Sequence, residues 1–394
     1  MQDVVIVSAK RSAIGKFGGS LSQTSAIDLA AQLIENQIST LRLEPEEVDE
    51  VILGNVLGAG LGQNLARQVA VKANLPIETS AYVVNKVCGS GLKAIILGTQ
   101  AIMTGEHEVV VAGGVENMSQ APHVTYGVRK GKAMGNLNMQ DLMLQDGLTD
   151  AFSGEHMGIT AENIAEKFGI DRKEQDTFAL NSQIKAKHAI EIDRFKDEIV
   201  PIKVNEKLVS TGYFDVDEYP RANSSLEQLA KLKPAFKKDG TVTAGNASGM
   251  NDGAATVILM SREKAELLKM PILATIKSWA SAGVSPELMG MGPIEATKKA
   301  LKKAALTVSD LDLIESNEAF AAQALCVSKE LGLNPELVNV NGGAIALGHP
   351  IGASGARILV SLIHELMQRN ETTGLATLCI GGGQGISMVI ETER

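Results

Sequence analysis

The pattern of apolar and polar positions divides the first part of the chain into alternating strand-like and helix-like segments. Residues 4–7 (VVIV) are continuously apolar, as in a buried strand. The following IDLAAQLIENQI carries apolar residues at the spacing of an amphipathic helix. Next come LEPEEVDEVILGN, a glycine turn that opens a second helix (CGSGLKAIILGTQAIM), and an apolar run (EVVVAGG). This order predicts an α/β fold in which helices cover the faces of a sheet.

The same order of segments recurs near the C-terminus, which indicates an internal duplication. Residues 272–276 are strand-like and precede PIEATKKALKKAA, LTVSDLDLIESN, IGASGARILVSLIHELM and LATLCIGGG. The interval from Leu43 to Cys88 nearly equals that from Leu306 to Gly352, so the two glycine turns fall at equivalent places. Two similar halves of this kind predict two related sheets, each covered by helices.

A segment of different character lies between the halves. Residues 119–244 contain the methionine-rich run MGNLNMQDLMLQDGL and charged helical patterns, with few patterns typical of buried strands. We therefore expect an inserted cap at 119–244, an N-terminal half formed by 1–118 and 245–270, and a C-terminal half at 271–394. The apolar run 254–260 (AATVILM) predicts a strand that returns the chain to the first half.

Composition and charge exclude several classes of function. The chain has 394 residues, of which 44% are hydrophobic and 21% charged, and its net charge of -9 argues against nucleic-acid binding. No apolar run approaches the length of a membrane span, and the N-terminus MQDVVIVSAK lacks a signal-peptide pattern. Three cysteines without a CxxC pair and six scattered histidines predict neither a disulfide framework nor a metal site. We expect a cytoplasmic protein that binds neither membrane nor metal.

One cysteine stands between a strand-like run and a glycine turn, in VNKVCGSGLKA. Cys88 should lie just before a helix N-terminus, where the helix dipole and free N–H groups favour a thiolate. A nucleophilic thiol whose own N–H helps to bind an oxyanion is one interpretation. A buried core cysteine is the other. Cys326, on the apolar helical pattern AAQALCVSKE, is predicted to be core only.

Three other interpretations of the glycine-rich turns fit the sequence less well. GSGLKA matches the GxGxxA pattern of a dinucleotide site, but Glu106 and Glu108 precede the next strand instead of ending it. The pattern GxxxxGK[ST] does not occur, which excludes a P-loop. GASGA resembles the nucleophile elbow of serine hydrolases, but the preceding GHPI is not a strand.

Longer motifs decide between these interpretations. The chain contains VNKVCGSG, GGVENMS, KPAFKKDGTVTAGNASGMNDGA, NEAF, GHPIGASGAR and CIGGGQG, in that order. In these motifs it resembles the thiolase family over essentially its whole length. The resemblance implies a thiolase-like fold: two duplicated βαβαβ-type halves with stacked mixed sheets in an α-β-α-β-α layering, plus the inserted cap. It also implies that two acyl-CoA molecules are joined, or a 3-ketoacyl-CoA is cleaved by CoA, through an acyl-cysteine.

The resemblance implies a role for each of the reactive residues. Cys88 matches the nucleophile, and His349 in GHP matches the base that takes its proton. Cys379 matches the second acid/base, which removes a proton from the α-carbon of the second acetyl group. Asn317 matches the residue that holds a water beside His349, forming one oxyanion hole for an enolate. The N–H groups of Cys88 and Gly381 match the other hole, for the tetrahedral intermediate.

Further residues match positions that bind the substrate. Those that match the short-chain enzymes of the family, with side chains that would shorten the acyl pocket, are Leu148, His156, Met157 and Met289. Arg221 matches a residue near the CoA nucleotide. The residues that match the lining of the pantetheine tunnel are Ala244, Ser248, Ala319 and Phe320. Ordinary helix packing at His156 and Met157, and a solvated Arg221, are the alternative interpretations.

The resemblance implies reversible condensation of two acetyl-CoA to acetoacetyl-CoA and CoA, through an acetyl group on Cys88. Ketoacyl synthases of the same superfamily typically place histidines where Asn317 and Cys379 stand, and they need no base for an α-proton because they remove carbon dioxide. A thiolase of broader chain length and a non-catalytic acyl-CoA or lipid-binding relative remain alternatives. CoA thioesters are then substrates, and no cofactor is required. The family implies a homo-oligomer, a dimer or a tetramer, with GVRKGKAMGNLNMQ as a candidate tetramer contact.

Overall fold

The computed structural model describes residues 3–393. Its N-terminal elements are β1 (Val4–Ser12), α1 (Ala26–Leu41), β2 (Glu50–Gly54), α2 (Leu65–Lys72), β3 (Ser80–Val84), α3 (Ser90–Thr104) and β4 (Val109–Asn117). The intervening segment carries α4 (Met157–Phe168), α5 (Arg172–Glu191) and α6 (Leu226–Ala230), followed by β5 (Asn251–Ser261) and α7 (Arg262–Leu267). The C-terminal elements are β6 (Ala274–Gly283), α8 (Gly292–Ala304), β7 (Leu313–Ser316), α9 (Ala321–Leu331), α10 (Ala344–Leu347), α11 (Ser354–Arg369), β8 (Thr373–Ile380) and β9 (Gln384–Thr392). Two-residue strands lie at Gly15–Lys16, His123–Val124, Gln140–Asp141, Ile199–Val200, Ile202–Lys203 and Tyr213–Phe214.

The labelled strands are hydrogen-bonded in the order β7-β8-β9-β6-β1-β5-β4-β2-β3. In the N-terminal half, β4, β2 and β3 are parallel, whereas β5 runs antiparallel to β1 and β4. The C-terminal half repeats this arrangement, with β7 parallel to β8 and β9 antiparallel to β8 and β6. The halves meet where β1 pairs with β6, Val5 opposite Thr275 and Ile6 opposite Ala274. The predicted repeat of a mixed strand arrangement is confirmed, with the two similar half-sheets joined in one continuous sheet. The exact division of the chain into domains stays a prediction.

Helices α3 and α11 lie against each other between the two half-sheets. Helix α3 contacts β2, β4 and β5 as well as β9, and α11 contacts β7 and β8 as well as β4 and β5. Alternate residues of β4 face opposite sides, with Val110 and Ala112 on the α3 side and Val109 and Val111 on the side of α1. Helices α1 and α2 cover the first half-sheet and α8 covers the second, which completes the expected five layers.

The central position of α3 explains an apolar segment that requires a correction to the sequence analysis. The window Val87–Thr104 has a mean hydropathy of 1.2 and is long and apolar enough to cross a membrane. The expectation that no segment approaches that length is therefore wrong. In the structure 56% of this window is buried inside the protein. Core helices of soluble proteins pass the same test, and packing between two sheets accounts for the composition of α3.

A buried arginine on β1 ties the sheet to the intervening segment. The guanidinium of Arg11 is 0% exposed and lies 2.7 and 2.9 Å from the two carboxylate oxygens of Asp217. Its Nε donates to Glu198, which also accepts a hydrogen bond from Ser361 on α11. Asp217 accepts a further bond from the N–H of Ile14. Every carboxylate in this cluster is paired, as buried charges require.

We expect Asp217→Asn to lower the free energy of unfolding by about 3–5 kcal/mol, because it leaves the buried charge of Arg11 underpaired. The matched control is Glu227→Gln, which breaks a 2.6 Å ion pair with Lys231 on the exposed surface of α6. That change should cost less than about 1 kcal/mol. Urea unfolding of the three proteins measures both values. Equal midpoints for the two variants would contradict a structural role for the buried cluster.

Candidate active site

A cavity of about 760 Å³ opens between the intervening segment and the ends of the sheet strands. The predicted residues that line it are Cys88, Leu148, His156, Met157, Arg221, Ala244, Ser248, Met289, Ala319, Phe320, His349, Cys379 and Gly381. Asn317 follows the last residue of β7, and its N–H donates to the carbonyl of Thr377, two residues before Cys379. Residues that are far apart in the sequence are thus brought together around one space.

A strained turn presents Cys88 at this cavity. Val87 has a φ of 46°, a left-handed conformation that is uncommon for a β-branched residue and costs on the order of 1–3 kcal/mol. The Ser90 hydroxyl accepts a bond from the Lys86 N–H and donates to the Val87 carbonyl, which closes the turn. A Cβ at Gly89 would lie 2.5 Å from the terminal methyl of Ile380, so a larger residue there would have to displace that side chain of β8. The thiol is therefore held in one place before substrate arrives.

His349 is held through its backbone and through its ring. Its N–H donates to Asn251 Oδ1 over 2.9 Å, and the Asn251 amide donates in turn to the carbonyl of Gly15. The preceding Gly348 has a φ of 109°, and a Cβ there would meet the Asn251 side chain at 2.5 Å. The ring Nδ1 lies 2.6 Å from the Ser354 hydroxyl. The other ring nitrogen, Nε2, is buried without a hydrogen-bond partner among residues 3–393.

Glu116 braces the loop that follows the histidine. Its buried carboxylate accepts bonds from the N–H groups of Gly352, Val56 and Leu57 and from the side-chain amide of Asn55. Burial raises the pKa of Glu116 to about 7, although these N–H donors oppose the rise. The carboxylate thus connects the loop after β2 with the loop before α11, at a position close enough to influence Cys88.

Three of these positions, Ser354, Glu116 and Asn251, are not among the residues predicted from the sequence. Each lies inside one of the longer sequence motifs, GHPIGASGAR, GGVENMS and KPAFKKDGTVTAGNASGMNDGA respectively. Glu116 and Asn251 form their hydrogen bonds with residues that are distant in the sequence. Ser354, in contrast, lies five positions after the histidine that it contacts. A hydroxyl five residues after a histidine, at the start of a helix, was the one local feature of the sequence that indicated such a contact.

The site keeps its reactive groups uncharged when it is empty. Burial raises the pKa of the Cys88 thiol to about 11, although the Gly381 N–H lowers it by hydrogen bonding. Burial and the charge of Arg357 lower the pKa of His349 to about 3. Burial and the proximity of Cys88 raise the pKa of Cys379. Burial thus opposes the thiolate that the helix N-terminus was expected to favour at Cys88.

Asn317 is another buried polar group without a hydrogen-bond partner among residues 3–393. It is 0% exposed, and neither its Oδ1 nor its Nδ2 has a hydrogen-bond partner in the described part of the chain. Such an unpaired amide is unfavourable unless a water or a ligand completes it. Its chemistry fits a donor to an oxygen atom beside the histidine. The role of Asn317 stays a prediction.

The remainder of the cavity is mostly apolar. The His156 ring stacks on Phe236 at 4.5 Å between ring centroids, and Phe236 meets Phe320 edge to face. Arg221 is exposed and lies 5.4 Å from the centre of the Tyr219 ring. Across residues 3–393 no group of three or more histidine, cysteine or acidic side chains could hold a metal ion. The cavity thus suits a long ligand with an apolar reactive end.

Comparison with known proteins assigns the class of this fold and site. The chain matches the thiolase N-terminal domain over residues 4–263 and the thiolase C-terminal domain over residues 270–392. The chain belongs to the thiolase family.

Among individual relatives, an acetyl-CoA acetyltransferase from Pseudomonas aeruginosa is 59% identical over 393 residues, covering 100% of both chains. The crystal structure of the Bacillus anthracis acetyl-CoA acetyltransferase superposes with a TM-score of 0.97 at 46% identity, covering 100% of this chain and 99% of that one. Human mitochondrial 3-ketoacyl-CoA thiolase in complex with CoA gives a TM-score of 0.96 at 44% identity, covering 100% and 98%.

If Cys88 is acylated as the resemblance implies, the lowered pKa of His349 predicts how the rate of that acylation depends on pH. A histidine of ordinary pKa, about 6.5, would lose roughly tenfold of its neutral form by pH 5.5. Because the pKa of His349 is about 3, the ring stays unprotonated over that range, and the acylation rate should not follow a titration near 6.5. Rapid-quench mass spectrometry of Cys88 acetylation between pH 5.5 and 8 measures this rate.

The control for this measurement is Glu116→Gln, because Glu116 lies close enough to influence Cys88 and its pKa of about 7 would contribute an inflection near neutrality. Such an inflection should disappear in that variant. A decline centred near pH 6.5 in both proteins would show that the histidine titrates normally.

Proposed function

We propose that this chain is an acetyl-CoA acetyltransferase, which condenses two acetyl-CoA to acetoacetyl-CoA and CoA and catalyses the reverse cleavage. The observation that carries the proposal is that Cys88, His349 and Cys379 face one mostly apolar cavity in a thiolase fold. The names of the P. aeruginosa and B. anthracis relatives support an acyltransferase that acts on acetyl-CoA. CoA thioesters are the substrates, and the reaction requires no metal or cofactor.

The first half-reaction moves the acetyl group to the protein. The Cys88 sulfur attacks the thioester carbonyl carbon while its proton passes to Nε2 of His349. The oxygen becomes negative in the tetrahedral intermediate and accepts bonds from the N–H groups of Cys88 and Gly381. The geometry of the site supports this step, because the Gly381 N–H hydrogen-bonds to the Cys88 sulfur. The intermediate collapses by breaking the bond to CoA sulfur, which leaves as a thiol with a proton from Cys379.

The second half-reaction forms the carbon–carbon bond. Cys379, now a thiolate, removes a proton from the α-carbon of a second acetyl-CoA. The enolate oxygen is stabilised by His349 and by a water held by Asn317, whose amide has no partner in the described chain. The enolate carbon attacks the acetyl group on Cys88, and the Cys88 sulfur leaves and regains a proton from His349. The thiol of Cys379 is suited to exchanging a proton with CoA, because a cysteine thiol and the CoA thiol have similar acidity in water.

The proposed preference for acetyl groups is supported by the packing at the reactive end of the cavity. Met157 and Met289 are buried in one cluster with Cys379, Ala319 and Phe320. The sulfur of Met157 lies 3.4 Å from where a Cβ on Gly381 would be, so it stands beside the oxyanion site. A longer acyl chain would have to displace these side chains.

A thiolase of broader chain length is the second candidate, favoured by the likeness to human 3-ketoacyl-CoA thiolase.

A homo-oligomer in the cytoplasm is part of the proposal. The segment 126–139 exposes several apolar side chains, among them Tyr126 at 59%, Met134 at 87% and Met139 at 65%. Exposed apolar side chains clustered in one segment favour a contact with another subunit, here a tetramer. Three free cysteines are consistent with a reducing compartment.

Replacing Cys88 with Ala should abolish the acetyl-enzyme, whereas Cys379→Ala should still acetylate Cys88 but lose carbon–carbon bond formation by at least about 1000-fold. Intact-protein mass spectrometry after treatment with acetyl-CoA measures the first step, and acetoacetyl-CoA formation measures the second. Cys326→Ala is the control, because that buried cysteine lies outside the cavity lining and should change neither. Acetylation of the Cys88→Ala protein within the cavity would refute the assignment of the nucleophile. A wild-type protein that binds acetyl-CoA without acetylation would support the non-catalytic alternative.

Met157→Ala should relax the limit on chain length. The wild-type enzyme should cleave acetoacetyl-CoA with a far higher kcat/KM than 3-ketohexadecanoyl-CoA, and the variant should reduce this ratio by about 10-fold or more. Thiolysis assays with both substrates give the ratio. Equal kcat/KM values for the two substrates in the wild-type enzyme would rule out the short pocket and favour the broader thiolase.

A further inference from the structure

Ser354 is the first residue of α11, and its side chain touches the ring of His349. It is 0% exposed, and its hydroxyl oxygen lies 2.6 Å from Nδ1 of His349 and 2.8 Å from the carbonyl oxygen of Pro350. Neither the thiolase resemblance nor the mechanism above assigns a function to this hydroxyl. It is the group that contacts the ring on the side away from the unpaired Nε2.

The short contacts of the Ser354 hydroxyl indicate one direction for both hydrogen bonds. The carbonyl of Pro350 can only accept, so the hydroxyl oxygen 2.8 Å away bonds to it as the donor of its single proton. With that proton used, the hydroxyl accepts from His349, which places a proton on Nδ1. A neutral imidazole carries one N–H, so Nε2 is left with a lone pair.

We propose that Ser354 is a positioning residue that holds His349 in the tautomer whose Nε2 accepts the proton of Cys88. The inference rests on the proposed function, because it matters only if His349 acts as a base. Without the hydroxyl, the proton can reside on either ring nitrogen, and the ring loses the bond that fixes its orientation. A histidine protonated on Nε2 cannot take a proton there.

The same bond also contributes during the reaction. When Nε2 accepts the proton, the ring becomes positively charged, and its Nδ1–H bond to Ser354 becomes charge-assisted and stronger. The charged side chain that disfavours a second proton on the ring is Arg357, one turn along α11. Ser354 is therefore the neighbour that stabilises the charged ring, while the site as a whole keeps it neutral at rest.

The test uses Ser354→Ala in the full-length enzyme, with Thr99→Val as the matched control. Thr99 lies on α3 and makes the same bond, from its hydroxyl to the carbonyl four residues earlier, at 2.8 Å. The Thr99 hydroxyl differs in one respect, because among the described residues it forms no hydrogen bond with a histidine. Ser354→Ala should slow acetylation of Cys88 by about 10–100-fold, the range found for groups that orient metal-bound histidines. KM should change by less than about twofold, and Thr99→Val should leave both parameters near the wild-type values.

Nitrogen-15 NMR of histidine-labelled enzyme tests the tautomer directly. The His349 signals are assigned by their absence in His349→Asn. The wild-type enzyme should show a protonated Nδ1 and an unprotonated Nε2, and Ser354→Ala should show a mixture. Ser354→Thr, which restores the hydroxyl, should recover the wild-type tautomer and most of the rate.

The outcomes separate this inference from the proposed function. A Ser354→Ala enzyme with wild-type acetylation and an unchanged tautomer would overturn the role of Ser354 while the function stands. A wild-type protein that is never acetylated on Cys88 would instead overturn the proposed function. An Nε2-protonated ring in the wild-type enzyme would contradict the inference whatever the activity.

Discussion

The close contact between the first turns of α3 and α11 is the constraint on which the site depends. A Cβ on Gly91 would lie 2.9 Å from the Ala356 nitrogen, and one on Gly355 would lie 2.6 Å from the Leu92 nitrogen. Only hydrogen fits at these two positions, so the helices meet backbone to backbone. Because Cys88 precedes one helix and His349 the other, this contact determines how near the thiol and the ring can be. Both helices are buried between the half-sheets, which leaves them little freedom to separate.

Burial also determines how the proposed chemistry must begin. An ion pair between Cys88 and His349 is disfavoured in the empty site, because burial raises the pKa of the thiol and lowers that of the imidazole. The proton therefore moves as the sulfur attacks, when the negative charge passes to an oxygen that N–H groups can stabilise. A neutral resting thiol is also a weaker target for oxidants than a thiolate. The low dielectric of the buried site makes it costly to separate charge between Cys88 and His349. The same low dielectric strengthens the hydrogen bonds from these N–H groups once the oxyanion forms.

The sequence predicted the architecture better than the electrostatics. Repeated segments and glycine turns placed Cys88 before α3 and predicted two similar half-sheets, because these features depend on local spacing. The opposition of burial to the thiolate was not predicted, because desolvation depends on residues from many segments, which spacing does not reveal. Ser354 was considered only as part of a hydrolase-like GASGA turn, and that interpretation was dropped for lack of a strand. Its bond to His349 spans only five residues, but it depends on the turn between the GHP motif and α11, which the spacing alone does not specify.

The internal duplication relates two paired polar residues of the N-terminal half to two proposed catalytic residues of the C-terminal half. Asn55 directly follows β2, which is parallel to β4. Asn317 directly follows β7, which is parallel to β8 in the same way. At the ends of these strand pairs, Gly54 lies opposite Gly114, and Ser316 lies opposite Thr377. Glu116 lies two residues after Gly114, and Cys379 lies two residues after Thr377. Glu116 and Cys379 therefore occupy equivalent positions in the two halves. In the N-terminal half, Asn55 donates to Glu116, and both are paired. In the C-terminal half a thiol stands at the equivalent position, and among residues 3–393 neither amide atom of Asn317 has a hydrogen-bond partner. The C-terminal half thus carries a thiol and an unpaired amide where the N-terminal half carries a paired carboxylate and amide, and these are the groups that the proposed enolate chemistry uses.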